Sequence, residues 1–319
     1  MKNLRIIFMG TAEFAVPCLR KIHESRHKVV AVVTAPDLPR GRGQKVSFTP
    51  IKEFAVERGI DVIQPGIEKG SLRDPKFIEQ LKSYNVDLFL VVAFRILPPE
   101  VFELPPLGSI NLHGSLLPKF RGAAPINWAI IRGEKETGVT TFFIQKLVDT
   151  GNMILQRSLS IGEDETAGEV HDRLSLLGAE ALLETVELVE EGKAPRMVQN
   201  ESLVSAAPKI FKEQCKIDWT QPAIEIKNFV RGLSPHPCAY SIRDGEHFKI
   251  YKVLVDPAGN TEDQAPGTIV SIHKVNGIAV TSGDKKLVWI KEIQPPSKKR
   301  MSVEEFLRGH DVSGWEKFE

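Results

Sequence analysis

The apolar positions of this chain change period along its length, and the changes mark its elements. The N-terminus begins with an apolar run, LRIIFMG, too short to leave room for a helix. A helical spacing over Phe14–His23 follows, then the β-branched run HKVVAVVT at 27–34. A further helical stretch comes after Pro50, then VDLFLVVAF at 86–94 and SINLH at 109–113. Runs that are apolar on both faces belong to strands covered on both sides by helices. The alternation predicts an α/β domain with a doubly wound, mostly parallel, Rossmann-like sheet. From Thr166 a long helix is expected. Thr166 and Glu169 can form a capping box, Val170, Leu174, Leu177 and Ala181 recur at helical spacing, and Gly192 supplies a stop.

Beyond that helix the pattern changes. GKAPRMVQN and ESLVSAAPK are polar and carry prolines, which reads as a linker over 193–207 between a first domain at 1–192 and a second domain at 208–319. The later runs HFKIYKVLV, GTIVSIH, GIAVTSG and KLVWIKEI are short, strand-like and separated by Gly and Asp turns. They predict a smaller, antiparallel, OB-like β-barrel. Residues 35–49, APDLPRGRGQKVSFT, show no period and are longer than an ordinary connection of about 2–6 residues, so a mobile functional loop and a solvated surface loop both fit.

Composition narrows the class. The 319 residues exceed the usual size of one domain, and 42% hydrophobic content suits a water-soluble globular chain. The net charge of +1 announces no nucleic-acid partner, and 17 basic against 15 acidic residues from 208 onward add little, so any RNA surface must be local. Cys18, Cys215 and Cys238 are an odd number with no metal-ligand spacing, which points to a reducing, cytoplasmic setting without disulfides or zinc. No segment approaches the roughly 20 apolar residues of a membrane span, and a membrane association is not expected.

The chemistry concentrates in NLHGSLLPKFRGAAP, residues 111–125. Asn111 and His113 stand two apart at a predicted strand end, so their side chains share one side, at the edge where open α/β sheets bind ligands. Asp149, in the VDTGN turn, can bring a carboxylate back toward them. An amide, an imidazole and a carboxylate suit acyl transfer without a covalent nucleophile, yet each residue type is also common as a structural strand-end or turn residue. Gly10 in GTAEFA precedes a helix, but the dinucleotide-binding glycine pattern, the phosphate loop, the GxSxG elbow and the HExxH pair are absent.

GTAEFAVP, VVAFRILPPEV, NLHGSLLPKFRGAAPI, TGVT and DTG, followed by AAPKI, KIDW, VRGLSPHP and EFLRGH, occur in an order that resembles the folate-dependent formyltransferases. Among them the chain is most similar to the methionyl-tRNA formyltransferases. The resemblance implies a formyl transfer from 10-formyltetrahydrofolate to the α-amine of initiator methionyl-tRNA, with no metal, by a monomer. Asn111, His113 and Asp149 would be the catalytic trio, and Ser115, Leu116, Leu117 and Pro118 would line the folate site. The resemblance further implies that Arg42 and Lys45 help place the tRNA acceptor end and that the barrel-like domain contacts tRNA. The same trio could formylate a small amine, such as glycinamide ribonucleotide or an amino sugar, and that alternative stays open on sequence. Phe94-Arg95 stands where the family often has Tyr-Gly, and Asn152 where it usually has Asp.

Overall fold

The computed structural model describes residues 2–40, 45–256, 258–259, 261 and 263–319. In chain order the first elements are β1 (Arg5–Gly10), α1 (Ala15–His23), β2 (Lys28–Val33), β3 (Leu38–Arg40), β4 (Lys45–Ser47), α2 (Pro50–Glu57) and β5 (Asp61–Ile63). There follow α3 (Pro75–Ser83), β6 (Leu88–Val92), α4 (Pro99–Phe102), β7 (Ser109–His113), α5 (Pro125–Ile131), β8 (Glu136–Phe143), β9 (Met153–Ser160) and α6 (Ala167–Glu190). The chain closes with α7 (Ala223–Leu233), β10 (Ala239–Arg243), β11 (Glu246–Asp256), β12 (Ile269–His273), β13 (Gly277–Thr281), β14 (Leu287–Gln294), β15 (Met301–Ser302) and α8 (Val303–Gly309). It divides into two compact units, one of residues 1–125, 137–159 and 171–207, the other of residues 126–136, 160–170 and 208–319.

The first unit is built on a seven-stranded sheet in the order β5-β2-β1-β6-β7-β8-β9. The strands from β5 to β7 are parallel, while β8 runs antiparallel to β7. Every residue of β6 is buried, which is why its sequence, LFLVV, is apolar throughout rather than alternating. Ile7, Met9, Ala31, Val33, Phe89 and Val91 pack on one face with Phe77 and Leu81 of α3 and Val101 and Phe102 of α4. Gly10 serves packing: a Cβ there would meet the Val92 carbonyl oxygen at 2.9 Å and the Ala15 Cβ at 3.0 Å. The expected helix after Thr166 is present with its cap. The Glu169 carboxylate accepts from the Thr166 N–H at 2.8 Å, and the Thr166 hydroxyl accepts from the Glu169 N–H at 3.3 Å.

Two stretches are more ordered than their composition suggested. Within 35–49 the strands β3 and β4 pair antiparallel, and Arg42 lies outside the described residues. Residues 197–207, read as a linker, pack along the first unit. Met197 and Met153 exchange backbone hydrogen bonds of 2.8 and 3.0 Å, and the Ala207 N–H donates to the Arg121 carbonyl at 2.7 Å.

The second unit carries an antiparallel sheet in the order β10-β11-β14-β13-β12, with β15 against β14. The last four residues join its two edges. The Ile269 N–H donates to Glu316 at 2.7 Å and the Phe318 N–H to Gly267 at 2.9 Å, while Glu319 and Ile242 of β10 bond each other. These bonds tie the start of β12 to the end of β10 and close the sheet into a barrel. Its core joins Ile226 and Val230 of α7, Ile250, Ile278, Val288, Ile290, Phe306 and Phe318.

Candidate active site

The register of β7 decides which side chains reach the site. Ile110 and Leu112 are buried on one face, and Asn111 and His113 take the other, because successive side chains of a strand alternate. His113 ends the strand and is 6% exposed. Its Nε2 lies 2.8 Å from the Phe120 carbonyl oxygen, to which an Nε2–H donates, so the ring is fixed and Nδ1 is turned to the site. Asn111 is half-buried, and among the described residues its side-chain amide has no protein hydrogen-bond partner.

Asp149 arrives by a less direct route. Since β8 runs antiparallel to β7, with Phe143 opposite Ile110, the β8–β9 connection leaves the sheet near the start of β7. The connection then doubles back, and Asp149 Oδ2 stands 3.9 Å from His113 Nδ1. The same oxygen accepts the Gly122 N–H at 2.9 Å. Asp149 has φ +55°, a left-handed conformation that Asp tolerates better than most residues. Thus the hydrogen bond that orients His113 is the one it donates to the Phe120 carbonyl. Asp149 places a half-buried carboxylate beside Nδ1 at a distance too long for a hydrogen bond.

The Ser115–Pro118 segment contributes shape more than free groups. Ser115 is fully buried, and its hydroxyl donates to the Lys119 carbonyl at 2.6 Å. Leu117 is 3% exposed, and of the four residues only Leu116 is not buried. Thr140 locks the segment, accepting the Leu117 N–H at 3.0 Å and donating to the Ser115 carbonyl at 2.7 Å. Gln156 adds a bond to the Leu117 carbonyl at 2.8 Å.

Beside this site, at the carboxyl end of β6, the backbone groups of Phe94 to Leu97 pair with no other backbone group among the described residues, and Ile96 is 73% exposed. Arg95 braces that stretch: Nη1 donates to the Gly66 carbonyl at 2.7 Å and the Ser71 hydroxyl at 3.1 Å, while Nε and Nη2 are buried without a hydrogen-bond partner among the described residues. Burial pulls its guanidinium below the ordinary arginine value, with Glu68 opposing. Asn152 uses its backbone carbonyl to accept the Phe143 N–H at 3.0 Å. Lys45 lies in β4. Among the described residues no group of three or more His, Cys, Asp or Glu side chains is placed to hold a metal ion.

The structure brings Asn111, His113 and Asp149 into one place. The sequence reading missed the groups that hold His113 and Asp149 there: Phe120, Gly122 and Gln199, whose amide donates to the Asp149 carbonyl at 2.8 Å. Only Gly122, inside the FRGAAP run, carried a local signal.

Comparison with known proteins shows the family. The family model described as formyl transferase matches residues 3–186, and that of the formyl transferase C-terminal domain matches residues 209–311. A methionyl-tRNA formyltransferase of Clostridioides difficile is 48% identical over 310 residues, covering 97% of this chain and 98% of its own. One from Caldanaerobacter subterraneus is 46% identical over 97% of this chain and 98% of its own. Among solved structures, HypX from Aquifex aeolicus in complex with tetrahydrofolic acid is similar in fold (TM-score 0.64, 18% identity), matching 98% of this chain and 48% of that one. The sugar 3N-formyl transferase WlaRD is similar too, with TM-score 0.63 and 19% identity over 94% of this chain and all of its own. The chain belongs to the formyl transferase family and, within it, to the methionyl-tRNA formyltransferases.

Proposed function

We propose that this chain moves the formyl group of 10-formyltetrahydrofolate onto the α-amine of initiator methionyl-tRNA, with Asn111, His113 and Asp149 acting on the reacting atoms. One observation carries the assignment of roles: an uncommitted Asn111 amide stands on the same strand face as a buried His113 whose Nδ1 confronts Asp149. The donor brings a formyl group on a nitrogen and a flat pterin edged with donors and acceptors. The unpaired backbone of Phe94 to Leu97 and the exposed Ile96 fit such a ring, and Ser115, Leu116, Leu117 and Pro118 shape the wall beside it.

In this scheme Asn111 donates an N–H to the formyl oxygen as it gains charge, and a proton held on His113 Nδ1 supports the same oxygen. Asp149 stabilises that proton and helps take up the one the amine releases. The acceptor nitrogen bonds to the formyl carbon, the bond to the donor nitrogen breaks, and the proton lost by the amine is matched by one gained at the donor nitrogen. The scheme uses no metal and no covalent enzyme intermediate. Arg42 and Lys45 and the domain at 208–319, which follows a catalytic domain at 1–192 and the segment 193–207 in sequence, meet the tRNA in this reading. The working form is a monomer in the cytoplasm, where methionyl-tRNA is made.

Replacing Asn111 or His113 with Ala tests the roles. Each is expected to lower turnover at least ~100-fold while leaving the melting temperature within a few degrees. Near-wild-type turnover in either variant would sink the assignment.

A further inference from the structure

Gln199 lies outside the sequence motifs of the site, in the segment first read as a linker, yet it is 5% exposed and uses all its hydrogen-bonding capacity. Its Nε2 donates to the backbone carbonyls of Asp149 at 2.8 Å and Gly151 at 2.9 Å. Its Oε1 accepts from Arg121 Nε at 3.0 Å and Nη2 at 2.7 Å. The partners leave one sensible amide orientation, nitrogen toward the two carbonyls and oxygen toward the guanidinium. Arg121 is held in turn by Glu201, at 3.1 and 2.7 Å.

Gln199 therefore links, directly on one side and through the Arg121 guanidinium on the other, the two pieces of backbone that set the Asp149 carboxylate. One is the turn that carries Asp149, with a left-handed φ of +55° and with Gly151 so close to the Phe143 carbonyl that a side chain there would not fit. The other is the stretch 120–122, which gives the Phe120 carbonyl to His113 and the Gly122 N–H to Asp149. A shift of either changes the gap between Asp149 and His113, and displacements on the ångström scale at reacting groups cost orders of magnitude in rate.

We infer that Gln199 is a positioning residue for formyl transfer, acting through Asp149 by fixing the Asp149–Gly151 turn against Arg121. The inference rests on the assignment of Asp149 to the reaction. A buried, satisfied amide that served stability alone would have the same bonds, so the test must separate the two.

Steady-state formyl transfer from 10-formyltetrahydrofolate to methionyl-tRNA is measured for wild type, Gln199→Leu, Asp149→Asn and the double variant. Gln199→Glu, which keeps the acceptor facing Arg121 and loses both donors, is measured as a second probe. Gln199→Leu and Gln199→Glu are expected to lower kcat about 10- to 100-fold, with KM for both substrates within about 3-fold of wild type. In the Asp149→Asn background, Gln199→Leu should cost less than about 2-fold more, because its target is already gone. Equal losses in both backgrounds, a rise in KM alone, or wild-type kcat would overturn the inference. If Gln199→Leu fails to fold, a wild-type kcat for Gln199→Glu overturns it alone. Wild-type turnover by Asp149→Asn would instead defeat the parent assignment, and a loss there with none at Gln199 defeats only the positioning role.

Discussion

Gly122 has φ +129°, and a Cβ built on it would lie 2.5 Å from the Ala207 carbonyl oxygen. Both facts exclude a side chain, since the conformation is one that L-residues avoid and the obstacle is backbone that cannot rotate away. Its N–H is also the donor to Asp149. Gly122→Ala should destabilise the first unit by about 2 kcal/mol or more, read as a lower urea midpoint, and should reduce turnover in the fraction that still folds. Unchanged stability would mean that 205–207 yields freely. At this scale the sequence was informative where chemistry follows from local spacing. Asn111 and His113 announce themselves by the two-residue strand period. Gln199 does not, because it meets Asp149 50 positions away through backbone carbonyls that leave no pattern in side-chain type.

Elements hold the site by their ends. At the amino ends of the central strands of the first sheet, Asp87, just before β6, accepts the Arg5 N–H of β1 at 2.8 Å and the Lys2 ammonium at 2.6 Å. Burial pushes the Asp87 carboxyl up, but the Arg5 N–H and the Lys2 charge outweigh it, and the group rests below the ordinary carboxylate range. A depressed value in the folded state gives stability that is present above the unfolded value of about 3.9 and is lost as pH falls through the folded one. Asp87→Asn should therefore cost about 1 kcal/mol at pH 7, and its deficit against wild type should shrink below about pH 4. A deficit independent of pH would contradict this origin. The strands and long helices were legible because they bury a periodic face. The order within 35–49 and 197–207 was not, since those residues pair by backbone and carry the polar, proline-containing composition of a loop.

In the whole molecule, the parallel sheet of the first unit was readable from runs apolar on both faces, and the second from short alternating strands. Closure of the second unit was expected, but not the segment that achieves it. It depends on four C-terminal residues, WEKFE less its tryptophan, too few to show a strand period. Unread too was α7, although Ile226, Val230 and Leu233 recur there at helical spacing. Among the described residues no helix is long and apolar enough to cross a membrane. The two matched family segments place a formyl transferase domain and its C-terminal companion in one chain. The claim that this chain formylates methionyl-tRNA is tested most directly by supplying the pure protein with 10-formyltetrahydrofolate labelled in the formyl carbon. Initiator methionyl-tRNA, elongator methionyl-tRNA, glycinamide ribonucleotide and a nucleotide-linked amino sugar are offered as acceptors in parallel. Label is predicted on the initiator methionyl-tRNA and to vanish with Asn111→Ala. Label on a small amine alone, or on none of the four, would contradict the account.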